Sequence, residues 1–160
     1  QNLKMIFAID RAGFVGVDGE SHQGLFDVPF LNTVPDSEVY SPSSFEEMNR
    51  VFDKVVSSGE TSVAIRYPRG VEDPLPEDFI SSENDFDIYG DKGETAIVTY
   101  GRLFSNACRA KEILKAEGID VRIIKLNKIK PVNEKVFENA LSYNNIFFFL
   151  SLALMLHLSF

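Results

Sequence analysis

One stretch near the start, Asp10-Arg11-Ala12-Gly13-Phe14-Val15-Gly16-Val17-Asp18-Gly19-Glu20-Ser21-His22-Gln23-Gly24, sets an arginine, an aspartate and a histidine among closely spaced glycines. Glycine lets backbone approach a ligand closely. Arg11 offers a planar, permanently charged fork suited to phosphate or carboxylate. His22 can donate a hydrogen bond or pass a proton near neutral pH. A second stretch, Arg66-Tyr67-Pro68-Arg69-Gly70, places Arg69 on a turn stiffened by Pro68. Two arginines converging on one pocket would bind a phosphate group. Each stretch also has a plainer reading: a solvated turn in which Arg11 and Asp18 pair with one another, and Arg66 or Arg69 as a surface ion-pair partner.

Both stretches end apolar runs that read as strands. Residues 4–9 carry no helical period and run into the first loop, which suits a buried parallel strand. Residues 38–40 form a short strand. Ser44-Phe45-Glu46-Glu47 then starts a helix with Phe45, Met48, Val51, Phe52, Val55 and Val56 on one face, ending near Gly59. Residues 61–66 are the next strand, broken by Tyr67-Pro68. Strand neighbours in parallel register would bring Arg69 beside Arg11.

Residues 71–93 mix Pro74, Pro76, Gly90 and Gly93 with many acidic side chains, the composition of an exposed connection between domains. Beyond it, strands are predicted at 95–100, 121–125 and 146–150, and helices at 105–117 and 133–142. Alternating strands and helices predict parallel α/β sheets in both parts.

Of the 160 residues, 44% are hydrophobic and 25% charged, the balance of a globular chain. Sixteen Lys and Arg against 24 Asp and Glu give a net charge of -8, which repels nucleic acid and anionic membrane, so any phosphate site must be local. Cys108 is the single cysteine and there are two histidines, which excludes an internal disulfide and a histidine–cysteine zinc cluster and points to the cytoplasm. Cys108, inside a predicted helix, is read as core packing. The glycines of the first loop do not have the dinucleotide-binding spacing.

The first residue is Gln1, and the chain reads as one entered partway through. At the other end, Ile146 to Phe160 is almost wholly apolar but shorter than the roughly 18–20 residues that span a bilayer. Residues 146–150, with Phe147, Phe148 and Phe149, are read as a buried strand, and 151–160 as a truncation or frame artefact that would leave the chain poorly soluble.

The two loops together resemble the deoxyxylulose-5-phosphate synthase family. Asp10 through Asp27 follows that family's Asp-Arg-Ala-Gly-x-Val-Gly-x-Asp-Gly-x-Thr-His-x-Gly-x-Phe-Asp pattern, departing at Ser21, and Arg66 to Gly70 follows its Arg-Tyr-Pro-Arg-Gly. The resemblance covers about residues 3 to 149. It implies an α/β chain with the parallel-sheet half of a transketolase pyrimidine-binding domain over 1–70, a linker over 71–93, and part of a transketolase C-terminal α/β domain over 94–160.

It further implies condensation of pyruvate with glyceraldehyde 3-phosphate, with loss of carbon dioxide, in a thiamine-diphosphate- and magnesium-dependent enzyme that works as a homodimer. Arg11 and Arg69 match the arginines that hold the acceptor's phosphate, and Asp18 and His22 match loop residues near the reacting groups. The family's Gly-Asp-Gly…Asn cofactor motif does not occur here, so no residue of this chain is assigned to cofactor or metal, and the chain alone is expected to be inactive. Two other readings stand beside this one. One is a transketolase-like or pyruvate-dehydrogenase-beta-like subunit needing a separate cofactor-binding chain, the other a non-catalytic phosphate-binding relic.

Overall fold

The computed structural model describes residues 3–14, 16, 19–58 and 61–150. Asp18 and the apolar stretch 151–160 lie outside the described residues.

Two four-stranded sheets make up the architecture. The first contains β1 (Ile6–Ile9), β2 (Ser37–Tyr40), β3 (Ser62–Arg66) and β7 (Lys128–Lys130), in the order β1-β3-β2-β7. The second contains β4 (Phe86–Tyr89), β5 (Thr95–Tyr100), β6 (Val121–Leu126) and β8 (Asn145–Phe149), in the order β4-β6-β5-β8. The helices are α1 (Asp27–Asn32), α2 (Phe45–Ser58), α3 (Leu103–Ala116) and α4 (Glu134–Ala140). β3 lies parallel to both β1 and β2, and β5 parallel to both β6 and β8, as alternating strands and helices predict. Each sheet adds one antiparallel strand, β7 against β2 and β4 against β6.

These two antiparallel strands alter the sequence picture. Residues 86–89 fall in the stretch read as an exposed connection, yet they form β4, with Phe86 opposite Leu126 and Ile88 opposite Ile124. β7 follows directly on β6 of the second sheet but pairs with the first, so the chain crosses between sheets within two residues. Residues 27–32, left without an element by the sequence reading, form α1. Pro29 is tolerated there because the first turn of a helix does not use its N–H groups.

The centre of each sheet is buried on both faces. On β5, Ala96, Val98 and Tyr100 face a core shared with Val28, Leu31, Val39 and Ala64 of the first sheet and its helix. Ile97 faces the other way, toward Phe104, Ala107 and Cys108 of α3. This alternation is the two-residue period of a strand, and each valine, leucine or isoleucine so buried contributes roughly 1.5–3 kcal/mol. Cys108 packs in that second core as the sequence reading expects, and burial pushes its thiol up to about 12. Phe147, Phe148 and Phe149 do form a strand, but they are exposed rather than buried. Their strand β8 is the edge of its sheet among the described residues, so one side lacks a neighbour.

α2 begins as its capping residues predict. The Glu47 N–H donates to Ser44 Oγ at 3.1 Å, while the Glu47 carboxylate accepts from Ser43 N at 2.7 Å, one residue earlier than the usual reciprocal bond. Met48, Val51, Phe52 and Val55 turn inward, whereas Phe45 and Val56 are exposed.

The same Glu47 reaches across to the second sheet. Its Oε1 accepts from the fully buried Lys125 Nζ at 2.6 Å, and Asp87 Oδ2 stands 3.6 Å from that ammonium. Asn127 accepts from Lys125 and donates to Asp87 at 2.9 Å, closing a buried polar seam between α2, β4 and β6.

Candidate functional site

The loop that holds Arg11 and the turn that holds Arg69 leave the carboxyl ends of adjacent parallel strands, β1 and β3. Their backbones stay paired past the strands: Tyr67 N donates to Ile9 O at 2.9 Å and Ala12 N to Tyr67 O at 3.0 Å. Loops at carboxyl strand ends are where α/β sheets form ligand sites. The structure thus places the two arginine-bearing segments side by side.

Arg11 sits in the left-handed region, at φ 56°. Its Nε lies 3.7 Å from Asp10 Oδ2, and its side chain keeps about a third of its surface exposed. The long loop after it is pinched shut by two backbone bonds at 3.0 Å, Gly13 N to Gly24 O and Gly24 N to Arg11 O. Gly24 is obligatory at that pinch, since a Cβ there would meet Arg11 O at 2.6 Å. His22 ends a single 3-10 turn, Glu20–His22; it is exposed and its Nδ1 is 2.9 Å from Ser21 Oγ. Arg69 is exposed on the turn, followed by Gly70 at φ 125°.

Arg66 departs from the surface role that pattern alone suggests. It is 2% exposed, with Nε donating to Asp27 Oδ2 at 2.9 Å and Nη2 to Asp27 Oδ1 at 3.0 Å. Nη2 also donates to Gly24 O at 3.2 Å. Burial follows from position, because β3 is flanked by β1 and β2 and its last residue stays inside. Asp27, the last residue of the motif, went without a role in the sequence reading; a carboxylate closing a glycine-rich motif was the available signal.

Between the first loop, the 66–70 turn and the start of α3 lies a cavity of about 380 Å³, lined by Gly13, Phe14, Arg66, Pro68 and Arg102 among others. Arg102 is held by Asp73, whose hydrogen bond keeps the guanidinium above its ordinary pKa.

Whether these residues could seat a diphosphate with its metal is a separate question. Among the described residues no three or more His, Cys, Asp or Glu side chains converge as metal ligands, and the sequence has no Gly-Asp-Gly. The described residues do not fit that group.

Comparison with known proteins divides the chain into two domains. Residues 1–72 match the transketolase pyrimidine-binding domain and residues 86–149 the transketolase C-terminal domain. A split-gene transketolase, solved as an inactive β4 tetramer, superposes with TM-score 0.72 at 24% identity, over 91% of this chain and 47% of that one. Campylobacter jejuni transketolase superposes with TM-score 0.73 at 15% identity, over 92% of this chain and 24% of that one. The chain belongs to the transketolase family.

Within the family it is similar to 1-deoxy-D-xylulose-5-phosphate synthases. That of Clostridium tetani is 38% identical over 138 residues, and that of Clostridium botulinum (strain Alaska E43 / Type E3) 38% over 141. These alignments take in 85% and 87% of this chain, which spans 22% and 23% of the relatives' length. No helix among the described residues is long and apolar enough to cross a membrane.

Proposed function

We propose that this chain supplies the acceptor-phosphate grip of a 1-deoxy-D-xylulose-5-phosphate synthase, the thiamine-diphosphate- and magnesium-dependent transferase that condenses pyruvate with glyceraldehyde 3-phosphate and releases carbon dioxide. The observation that carries the reading is the pairing of the Arg11 loop with the Arg69 turn through Ala12 N and Tyr67 O. Arg11 and Arg69 hold the phosphate from two sides. Fixed forks of this kind orient the far end of the substrate and so place its aldehyde. His22, with Asp18 in the same loop, serves the developing hydroxyl by hydrogen bonding or proton transfer.

The carbon–carbon chemistry belongs to the cofactor, which residues outside this chain would hold. In this reading residues 1–70 are pyrimidine-binding domain, the linker narrows to 71–85 because β4 belongs to the second sheet, and the rest is C-terminal domain; the working protein is a cytoplasmic homodimer and the chain alone is inactive. The relatives' similarity and the acidic, cysteine-poor composition support it.

The test is steady-state kinetics on a full-length synthase carrying these loops, with Arg11→Ala and Arg69→Ala. A charged hydrogen bond is worth about 1.5–3 kcal/mol, or roughly 10- to 100-fold. Each substitution should raise KM for glyceraldehyde 3-phosphate on that scale and leave KM for pyruvate alone. An unchanged KM for glyceraldehyde 3-phosphate in both variants refutes the assignment.

A further inference from the structure

We propose that Arg66 is a positioning residue for this grip, acting through Asp27 and the Gly24 carbonyl to set the posture of Arg11; the inference rests on the reading just given. A continuous set of contacts links the two arginines. The Arg66 guanidinium grips both oxygens of Asp27 and reaches Gly24 O. Gly24 N in turn donates to Arg11 O, and Gly13 N donates back to Gly24 O. Gly24 is so close to Arg11 that no side-chain atom fits between them, with a Cβ 2.6 Å from Arg11 O and 3.0 Å from the Ala12 Cα. A shift of Gly24 is therefore a shift of Arg11.

The far end of this set is fixed. Asp27 Oδ1 accepts from Val28 N at 2.9 Å, which orients the carboxylate at the start of α1. The Arg66 Cζ lies 5.5 Å from the Tyr100 ring centroid, so a ring of the second sheet backs the guanidinium. Arg11, by contrast, needs holding. A non-glycine residue at φ 56° is strained, and such a conformation persists only where surrounding structure over-determines it.

The geometry also says why this residue is arginine. Two parallel bonds to one carboxylate and a third to a carbonyl require a planar fork; an ammonium would keep the charge and lose the orientation. A residue that merely stabilised the fold would change the amount of active enzyme, not its discrimination between the two substrates.

The experiment is a double-substitution cycle in the full-length synthase, with Arg66→Lys, Arg11→Ala and the two combined. Displacements on the order of 1 Å in positioning groups cost up to about 100-fold, so Arg66→Lys should raise KM for glyceraldehyde 3-phosphate about tenfold or more with KM for pyruvate unchanged. Because Arg66 acts through Arg11, the double variant should be no worse in that KM than Arg11→Ala alone.

If Arg11→Ala raises the KM and Arg66→Lys does not, or if the two effects multiply, the positioning role is wrong and the phosphate grip stands. If Arg11→Ala itself has no effect, both are wrong. Should Arg66→Lys fail to fold, Gly24→Ala keeps every charge and forces the pinch apart. It should give the same selective rise, and an unchanged KM there overturns the proposal.

Discussion

At the loop end of the first sheet, buried Arg66 ties down a single carboxylate while Arg11 stays partly exposed beside Asp10 and Arg69 is exposed on its turn. At the seam between the sheets, Lys125 has no exposed surface; it is held by Glu47 and Asn127, with Asp87 behind and the rings of Phe79 and Phe104 each 5.5 Å from its ammonium. The chemistry is the same, cation against carboxylate, and the consequences differ. At the loop a buried pair stands behind two arginines that keep exposed surface. At the seam all four polar side chains are buried, and the network ties α2 to the second sheet. A buried ion pair gains little over apolar packing but is costly to break by halves, so the seam should govern folding and the loop ligand affinity.

The largest effect expected is therefore at the seam. Lys125→Ala leaves the Glu47 and Asp87 carboxylates buried without their cation, and should lower stability by about 3–5 kcal/mol. Urea denaturation of the chain measures this. In a full-length synthase that still folds, the same variant should leave KM for glyceraldehyde 3-phosphate unchanged. A selective rise in that KM would erase the distinction between the two regions.

Acid should attack the seam first. Burial alone would raise the Glu47 pKa, but the Lys125 charge, its hydrogen bond and the Ser43 N–H outweigh it and hold the carboxyl below its ordinary 4.5. A carboxylate depressed in the folded state stabilises the fold fully above the unfolded value and loses that contribution as pH falls through the folded one. The urea midpoint should thus be level in this respect above about pH 5 and fall below 4.5, with a shallower fall in Glu47→Gln. Asp85 adds to the same acid limb: burial would raise its pKa, and bonds from Asn133 and Lys128 bring it down. Equal acid slopes with and without Glu47 would take that residue out of the seam's stability.

A smaller effect belongs to the cap that aims Glu47. Ser44→Ala removes the acceptor for the Glu47 N–H and should cost about 1 kcal/mol. A loss near that of Lys125→Ala would mean that Ser44 supports the whole seam rather than one helix end.

The sequence made the loop region legible and left the seam hidden, for reasons that particular residues show. Arg11, Arg69 and the parallel pairing of the strands beneath them follow from glycine spacing, Pro68 and unbroken apolar runs, all local signals, although β1, read as buried, is an exposed edge strand among the described residues. The seam depends on partners far apart in the chain, such as Glu47 and Lys125, and Lys125 reads from sequence only as the last residue of a predicted strand. β4 inverts the usual pattern: Asp87 is buried and Ile88 exposed, so its alternation points the wrong way. β7 is three residues, too short to show a period. Arg66 was visible as a residue and not as a role, since nothing in the sequence says that its strand is central.

The smallest effect concerns Arg11 itself and isolates backbone from side chain. At φ 56° an L-residue meets steric resistance that glycine does not. Arg11→Ala and Arg11→Gly both remove the guanidinium, and both should weaken the acceptor's hold equally. They differ only in whether a Cβ remains in the left-handed region. Glycine loses more entropy on folding, roughly 0.5–1 kcal/mol, against roughly 1–2 kcal/mol of left-handed strain relieved. Arg11→Gly should then be the more stable of the pair by about 0.5–1 kcal/mol, read as the difference between their urea midpoints. A glycine variant no more stable than the alanine one would mean that the loop carries no strain at Arg11, and that the Gly24 pinch orients a residue already at rest.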